Sequence, residues 1–266
     1  MHKLAVIGNP IEHSLSPIVF EQFAQQFNLD INYEKILAKD IDNFNTIVND
    51  FFYNHGLALN ITSPYKHNAY LNAKNKTARA NFCKTGNFMY LNNDREITVD
   101  TTDGIGLVTD IEENNKQKLA DKKILLIGSG FVIDSILLDI IVRNPSSIAI
   151  LARNHERVKF LQNKFSIDLH NVGTKYDIII NSSPNIIEND LFNKISIIND
   201  NAFCYDLAYS KVATLFLQLM RKINPNIIIQ NGLGMLVEQA KVAFIQLFNK
   251  NPNSKEVIDK IRNHNA

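Results

Sequence analysis

A lysine set among polar side chains at the end of an apolar run is the first place where this chain can do chemistry: Leu57-Ala58-Leu59 leads into Asn60-Ile61-Thr62-Ser63-Pro64-Tyr65-Lys66. The apolar residues predict a strand, and the proline turn delivers an ammonium at its end. An ammonium donates a proton or a hydrogen bond to an oxygen that gains negative charge, provided that a carboxylate aims it. Asp103, in Asp100-Thr101-Thr102-Asp103-Gly104, is the candidate carboxylate. Upstream, Gly8-Asn9-Pro10-Ile11-Glu12-His13-Ser14-Leu15-Ser16-Pro17 places two hydroxyls beside a helix start, where Ser14 and Ser16 suit a ligand's carboxylate or alcohols. Capping of that helix is the plainer use for them. His13 and His67 read as structural, since a single histidine beside a cap or a lysine forms no acid–base constellation. Near the C-terminus, Asn231-Gly232-Leu233-Gly234 is a flexible turn into a helix that presents Gln239 one turn in.

A second kind of chemistry follows the apolar run Lys123 to Ile127. Gly128-Ser129-Gly130 would let the backbone approach a pyrophosphate at the next helix start, where free N–H groups and the helix dipole favour negative charge. Phe131, Ile133 and Asp134 make this turn bulkier and more acidic than phosphate binding prefers, so a ligand-free strand-to-helix turn is the alternative. After the next apolar strand, a site for NAD would place an acidic residue, but here stand Arg153 and Arg157. Guanidinium contacts to a 2′-phosphate point to NADP(H) instead.

The elements that must position these residues alternate along the chain. Apolar patterning predicts strands at 4–7, 31–37 and 57–62, separated by helices at 16–27 and 41–52, with Asp40 opening the second helix. A helix over 75–83 and a strand pair at 87–91 and 97–99 come next, then a helix over about 105–114. The run 123–127, helix 132–142 and strand 147–151 form the βαβ unit of a nucleotide-binding fold. Further strands are expected at 177–180, 202–205 and 227–229, and two closing helices at 234–249 and 254–263.

The 266 residues suit two domains, and 28 Lys+Arg against 27 Asp+Glu give a formal charge of +1. That balance supplies no electrostatic reason to expect nucleic acid or an anionic membrane, which favours a small molecule as partner. Cys83 and Cys204 lack metal-ligand spacing and read as buried apolar residues in a reducing, cytoplasmic compartment. No signal peptide is visible, and the longest apolar region carries Asp134 and Asp139, against a membrane span.

Taken in order, these segments resemble the shikimate dehydrogenase family, which reduces 3-dehydroshikimate with NADPH in aromatic amino-acid biosynthesis. Gly8 to Pro17 follows the family's GNPIxHSxSP, Asn60 to Lys66 its NVTxPxK, and Gly232 to Gln239 its GLGMLVxQ. The resemblance implies Lys66 and Asp103 as the catalytic pair. It implies Ser14, Ser16, Asn60, Thr62, Asn87, Tyr209 and Gln239 as holders of the substrate's carboxylate and hydroxyls. For the cofactor it implies Gly128, Ser129, Gly130, Arg153, Arg157, Asn181, Ser182, Ser183 and Gly232, and it needs no metal. Departures gather at the cofactor turn, where the family's GAGGAxR becomes Gly128-Ser129-Gly130-Phe131-Val132-Ile133-Asp134. An acid there would cost about 1 kcal/mol against a pyrophosphate unless it turned away.

The expectation is therefore an α/β protein of two lobes. Residues 1–103, completed by helices in 234–266, form a substrate-binding, catalytic domain with a mixed or parallel sheet. Residues 104–233 form a Rossmann-like NADP-binding domain, in a monomer or homodimer. A quinate/shikimate dehydrogenase using NAD, or a binding protein of this fold that has lost turnover, are the rival readings.

Overall fold

The computed structural model describes residues 1–184, 191–195 and 198–264. The chain divides into two compact units, Met1–Gly106 with Leu236–Ile261, and Leu107–Met235 with the chain end from Arg262.

The first unit is built on β1 (His2–Gly8), α1 (Ser16–Gln25), β2 (Ile31–Leu37), α2 (Ile41–Tyr53), β3 (Ala58–Ile61) and α3 (Lys66–Asn72). It continues through β4 (Asn75–Lys76), α4 (Ala78–Cys83), β5 (Phe88–Leu91), β6 (Ile97–Asp100) and the start of α5 (Asp103–Thr109). The sheet order is β2-β1-β3-β5-β6-β4. β1 runs parallel to β2 and β3, whereas β5 is antiparallel to both β3 and β6, so the sheet is mixed. One face buries Ile7, Leu59, Ile61 and Met89 against Phe44, Val48 and Phe51 of α2. The chain returns in α9 (Leu233–Phe248), where the Phe244 ring lies 5.5 Å from Phe23 of α1 and 6.1 Å from Phe20. Each of these phenyl rings is fully buried, which stabilises the docked helix by roughly 1.5–3 kcal/mol per side chain.

Local chemistry departs from the pattern in two places. The helix expected over 75–83 is broken because Thr77 caps α4, its hydroxyl accepting from Ala80 N at 3.2 Å, while Asn75 and Lys76 pair with β6. At α1 the N-cap position is Leu15, which makes no side-chain bond; Ser16 is already helical, and its N–H donates to Ser14 Oγ at 3.3 Å. Asp40 does cap α2, accepting from Asn43 N at 2.8 Å.

In the second unit a π-helical turn (Asp110–Asn114) closes α5, and β7 (Lys123–Ile127), α6 (Val132–Ile141), β8 (Ser147–Leu151), α7 (His155–Phe165) and β9 (Asp168–Leu169) follow. Then come β10 (Ile178–Asn181), a 3-10 turn (Phe192–Lys194), β11 (Phe203–Asp206), α8 (Leu215–Ile223) and β12 (Ile228–Asn231). α10 (Ser254–His264), which belongs to the first unit through Ile261, ends the described chain. All six strands are parallel, in the order β12-β11-β10-β7-β8-β9. Counted from β7 along the chain this is the 3-2-1-4-5-6 arrangement of dinucleotide-binding folds. The continuous apolar run of β7 follows from burial on both faces: Ile124 and Leu126 enter one core, Leu125 and Ile127 the other. The two-residue β9 has both residues exposed, so no apolar alternation announces it.

Candidate active site

The C-terminal ends of β1 and β3 meet closely. A Cβ on Gly8 would lie 2.3 Å from Thr62 Cγ2 and 3.1 Å from the Ser63 carbonyl, so only glycine fits where the two polar loops leave the sheet. Lys66 is the first residue of α3, and Asp103 the first of α5. Lys66 Nζ donates to Asp103 Oδ2 at 2.6 Å, with side chains 16% and 7% exposed. An ammonium has three N–H donors, and one hydrogen bond holds this one among the described residues. The others can reach a ligand oxygen.

Asn87 organises the other side of Asp103. Its amide nitrogen lies 3.1 Å from Asp103 Oδ1, 2.9 Å from Thr102 Oγ1 and 2.9 Å from Gln239 Oε1, while its oxygen accepts from Thr102 N at 2.7 Å. Gln239 in turn donates to Leu236 O at 2.8 Å. All four side chains are buried, so the carboxylate is fixed by polar partners instead of water.

A second group forms at the end of β3. Tyr33 donates to Asn60 Oδ1 at 2.7 Å, and burial pushes its phenol well above its usual value, a hydrogen bond with Ser16 opposing this. Ser14 and Ser16 hydroxyls are 3.3 Å apart. Asn60 Nδ2 is buried with no partner, a donor that native structures rarely leave idle and that a ligand oxygen would satisfy. Thr62 is half-buried beside Asn60 in sequence, with its backbone N–H bonded to Ile7 O at 3.0 Å. Among the site side chains, Lys66, Asp103, Asn87 and Gln239 are thus joined in one network, and Ser14, Ser16 and Asn60 in another. Tyr33 and Thr102 join these groups without having been singled out in the sequence. The available signal was a tyrosine at a core-facing strand position, whose hydroxyl must find a partner. His13 is exposed, and His67 Nδ1 sits 2.7 Å from the Lys84 carbonyl. Tyr209 is half-buried in the loop after β11, in the other unit.

In the second unit, Gly128 follows β7 at φ 109°, and a Cβ there would lie 2.3 Å from Ser182 Oγ, so the position requires glycine twice over. β7 and β10 are neighbours where the strand order reverses, the place at which such sheets bind ligands. Gly130 has open space around it, and Phe131 stands at the N-cap of α6 with no side-chain cap; the Ile133 N–H is bonded to Gly130 O at 3.0 Å, and the helix start still faces an anion with its dipole. This backbone fits a pyrophosphate. Asn181 is committed within the fold, donating to Asp206 Oδ1 at 3.0 Å and Ser183 O at 3.1 Å and accepting from Ser183 N at 3.0 Å. Burial raises the pKa of Asp206, opposed by its bonds from Thr214, Ala208 and Asn181. Ser182 Oγ donates to Ile127 O at 2.8 Å. Gly232 is packed so that a Cβ would lie 2.1 Å from Leu207 O. The start of α9 is pinned by Tyr205, which donates to Asp110 Oδ2 at 2.6 Å and accepts from Met235 N at 3.3 Å. Burial, then the Asp110 charge, holds that phenol well above its usual value.

The two arginines differ. Arg153 is exposed and its side chain makes no hydrogen bond or ion pair among the described residues. Arg157 is ion-paired with Asp134, and its Nε donates to Ser129 O at 3.2 Å. The acid at the cofactor turn is thereby neutralised, with Lys164 Nζ 3.1 Å away on its other oxygen.

Sheet order, glycine turn and helix start define the second unit as a dinucleotide-binding α/β fold, attached to a unit that gathers a Lys–Asp pair among amides and hydroxyls. Residues 6–89 match the shikimate dehydrogenase substrate binding domain, and residues 110–212 match shikimate / quinate 5-dehydrogenase. The chain is 36% identical over 268 residues to the shikimate dehydrogenase (NADP(+)) of Legionella pneumophila strain Lens, covering 98% of this chain and 99% of that one. It belongs to the shikimate dehydrogenase family. Its fold superposes with a TM-score of 0.86 on an Ael1 enzyme from Pseudomonas putida, at 30% identity over 98% of each chain. The same score relates it to the Thermus thermophilus shikimate 5-dehydrogenase solved with NADP(H) and shikimate, with 100% of each chain covered; at 18% identity that likeness concerns the fold. No helix among the described residues is long and apolar enough to cross a membrane.

Proposed function

We propose that this protein is an NADP-dependent shikimate dehydrogenase, reversibly reducing 3-dehydroshikimate to shikimate. The observation that carries the reading is the Lys66–Asp103 pair at 2.6 Å, held from behind by Asn87 and Gln239. NADPH supplies the hydride when bound. The protein's task is orientation and charge stabilisation. Lys66 directs an N–H at the C3 oxygen as it becomes an alkoxide and supplies its proton. Asp103 keeps that ammonium aimed and accepts from a substrate hydroxyl. Asn60 Nδ2, with Ser14 and Ser16, receives the carboxylate, the ligand group that answers an idle buried donor beside two hydroxyls. Thr62, Tyr209 and Gln239 are assigned to the substrate as well. Gly128, Ser129, Gly130 and Gly232 offer backbone to the cofactor, and Arg153 its guanidinium. Asn181, Ser182 and Ser183 support that surface from within the fold. The protein works in the cytoplasm on a small molecule, as a monomer or homodimer, with no nucleic-acid or membrane partner.

The test is shikimate oxidation with NADP at alkaline pH on the purified protein, run beside quinate and NAD. Shikimate with NADP should be the preferred pair. Preference for quinate with NAD would overturn the assignment, and absence of turnover despite NADPH binding would make the protein a binding protein of this fold.

A further inference from the structure

Asn60 offers a ligand one end of its amide, and the residue that decides which end lies two strands away. Asn60 sits on β3 opposite Val6 of β1, and Tyr33 sits on β2 opposite Leu4. The four side chains therefore share one face of the sheet, with β1 between the phenol and the amide. A long side chain is needed to span that gap. Tyr33 does so, donating to Asn60 Oδ1 at 2.7 Å. Its ring lies 4.9 Å from that of Phe20, and its oxygen shares a hydrogen bond with Ser16, one turn before Phe20 on the same face of α1. Phe20 thus holds the ring and Ser16 the hydroxyl, and all four residues are buried. Burial keeps the phenol protonated, so it remains a donor.

An amide has an accepting end and a donating end, which exchange places on a half-turn of the side chain. Here Tyr33 takes the accepting end. The N–H groups of Nδ2, buried and without a partner, are what is left for a ligand. Were the amide reversed, Nδ2 would face the proton of the phenol and a carbonyl oxygen would meet the ligand. A carboxylate accepts and cannot donate, so that arrangement would repel it.

Building on the reading of Asn60, Ser14 and Ser16 as receivers of the substrate's carboxylate, we infer that Tyr33 is a positioning residue that locks the Asn60 amide with its N–H groups towards the ligand. It thereby sets the preference for an acid over a neutral group of the same shape. Tyr33 needs no contact with the ligand for this. The Lys66–Asp103 pair belongs to a separate network, so the lock acts on binding and specificity and not on the chemical step.

Calorimetric titration of the full chain with shikimate and with its primary carboxamide tests the lock, because a carboxamide can donate where a carboxylate cannot. Tyr33→Phe frees the amide to turn, so the acid-to-amide affinity ratio should fall by about tenfold, the scale of one hydrogen bond to a charged group. The KM for shikimate should rise in step, while kcat stays within about twofold. Asn60→Asp keeps an acceptor for Tyr33 but has no N–H, so it should reverse the preference and bind the carboxamide more tightly than the acid. Thermal melts show whether each variant is folded; should Tyr33→Phe not fold, Asn60→Asp decides alone. The inference is overturned if Tyr33→Phe weakens both ligands equally, as lost packing would, if kcat falls as far as KM rises, or if Asn60→Asp still prefers the acid. Failure of the functional reading looks different: the wild-type protein would not turn over shikimate, whatever its variants bind.

Discussion

The two units solve the problem of holding a polar ligand in opposite ways. In the first, side chains converge: Lys66, Asp103, Asn87, Thr102 and Gln239 bond to one another, and donors of Lys66 and Asn60 remain for a ligand. In the second, the backbone does the holding, through Gly128 at positive φ and an uncapped helix start, and nearby side chains are turned inward to support it. A site made of side chains needs particular residues. A site made of backbone needs particular conformations, and tolerates Phe131, Ile133 and Asp134 where smaller or basic residues are usual, provided that the turn is held.

Substitutions should separate the two designs. Lys66→Ala should have the largest effect, a fall in kcat of about 100-fold or more with shikimate affinity little changed, since proton transfer and charge stabilisation act in the transition state. Steady-state kinetics with equilibrium binding would check it, and near-normal turnover would remove Lys66 from the mechanism. Gly128→Ala attacks the backbone design: a side chain at φ 109° that meets Ser182 Oγ at 2.3 Å should cost about 1–3 kcal/mol of stability. NADPH affinity should fall with it while shikimate binding stays near wild type. Equal loss of both ligands would erase the contrast between the units. Asn60→Ala removes an unpartnered donor, so it should raise the KM for shikimate by about fivefold, the worth of one hydrogen bond, and it should also lower Tm, because the buried Tyr33 hydroxyl loses its acceptor. A lowered Tm at unchanged KM would show that Asn60 serves the fold instead.

The smallest effect concerns pH. Burial pushes the Cys204 thiol from 9.0 to about 12, so the folded chain keeps a proton that the unfolded chain releases. Stability from this source is fully present below pH 9.0 and is lost as pH rises towards about 12. In alkaline urea titrations, Cys204→Ala should show a shallower decline than wild type across that window, with no difference in slope at neutral pH. Parallel declines would assign the alkaline loss to other groups, such as Tyr33 and Tyr205.

Periodicity, turn residues and ordered motifs made most of the fold and its family legible in the sequence. β1 to β3 with their helices follow from strand-length apolar runs and the Asp40 cap, and the buried β7 from an apolar run too long to alternate. Lys66 and Asp103 were legible as a candidate pair from their residue types, and the structure joins them at 2.6 Å. What the sequence left open depends on partners distant along the chain. Tyr33 reaches Asn60 across 27 positions and Gln239 reaches Asn87 across 152. Arg157 is ion-paired with Asp134, 23 positions away. Residue types determine which hydrogen bonds and charges a chain can offer. Only the tertiary structure decides which of them are spent inside the protein and which remain for a ligand, because burial removes the water that would otherwise satisfy every group equally.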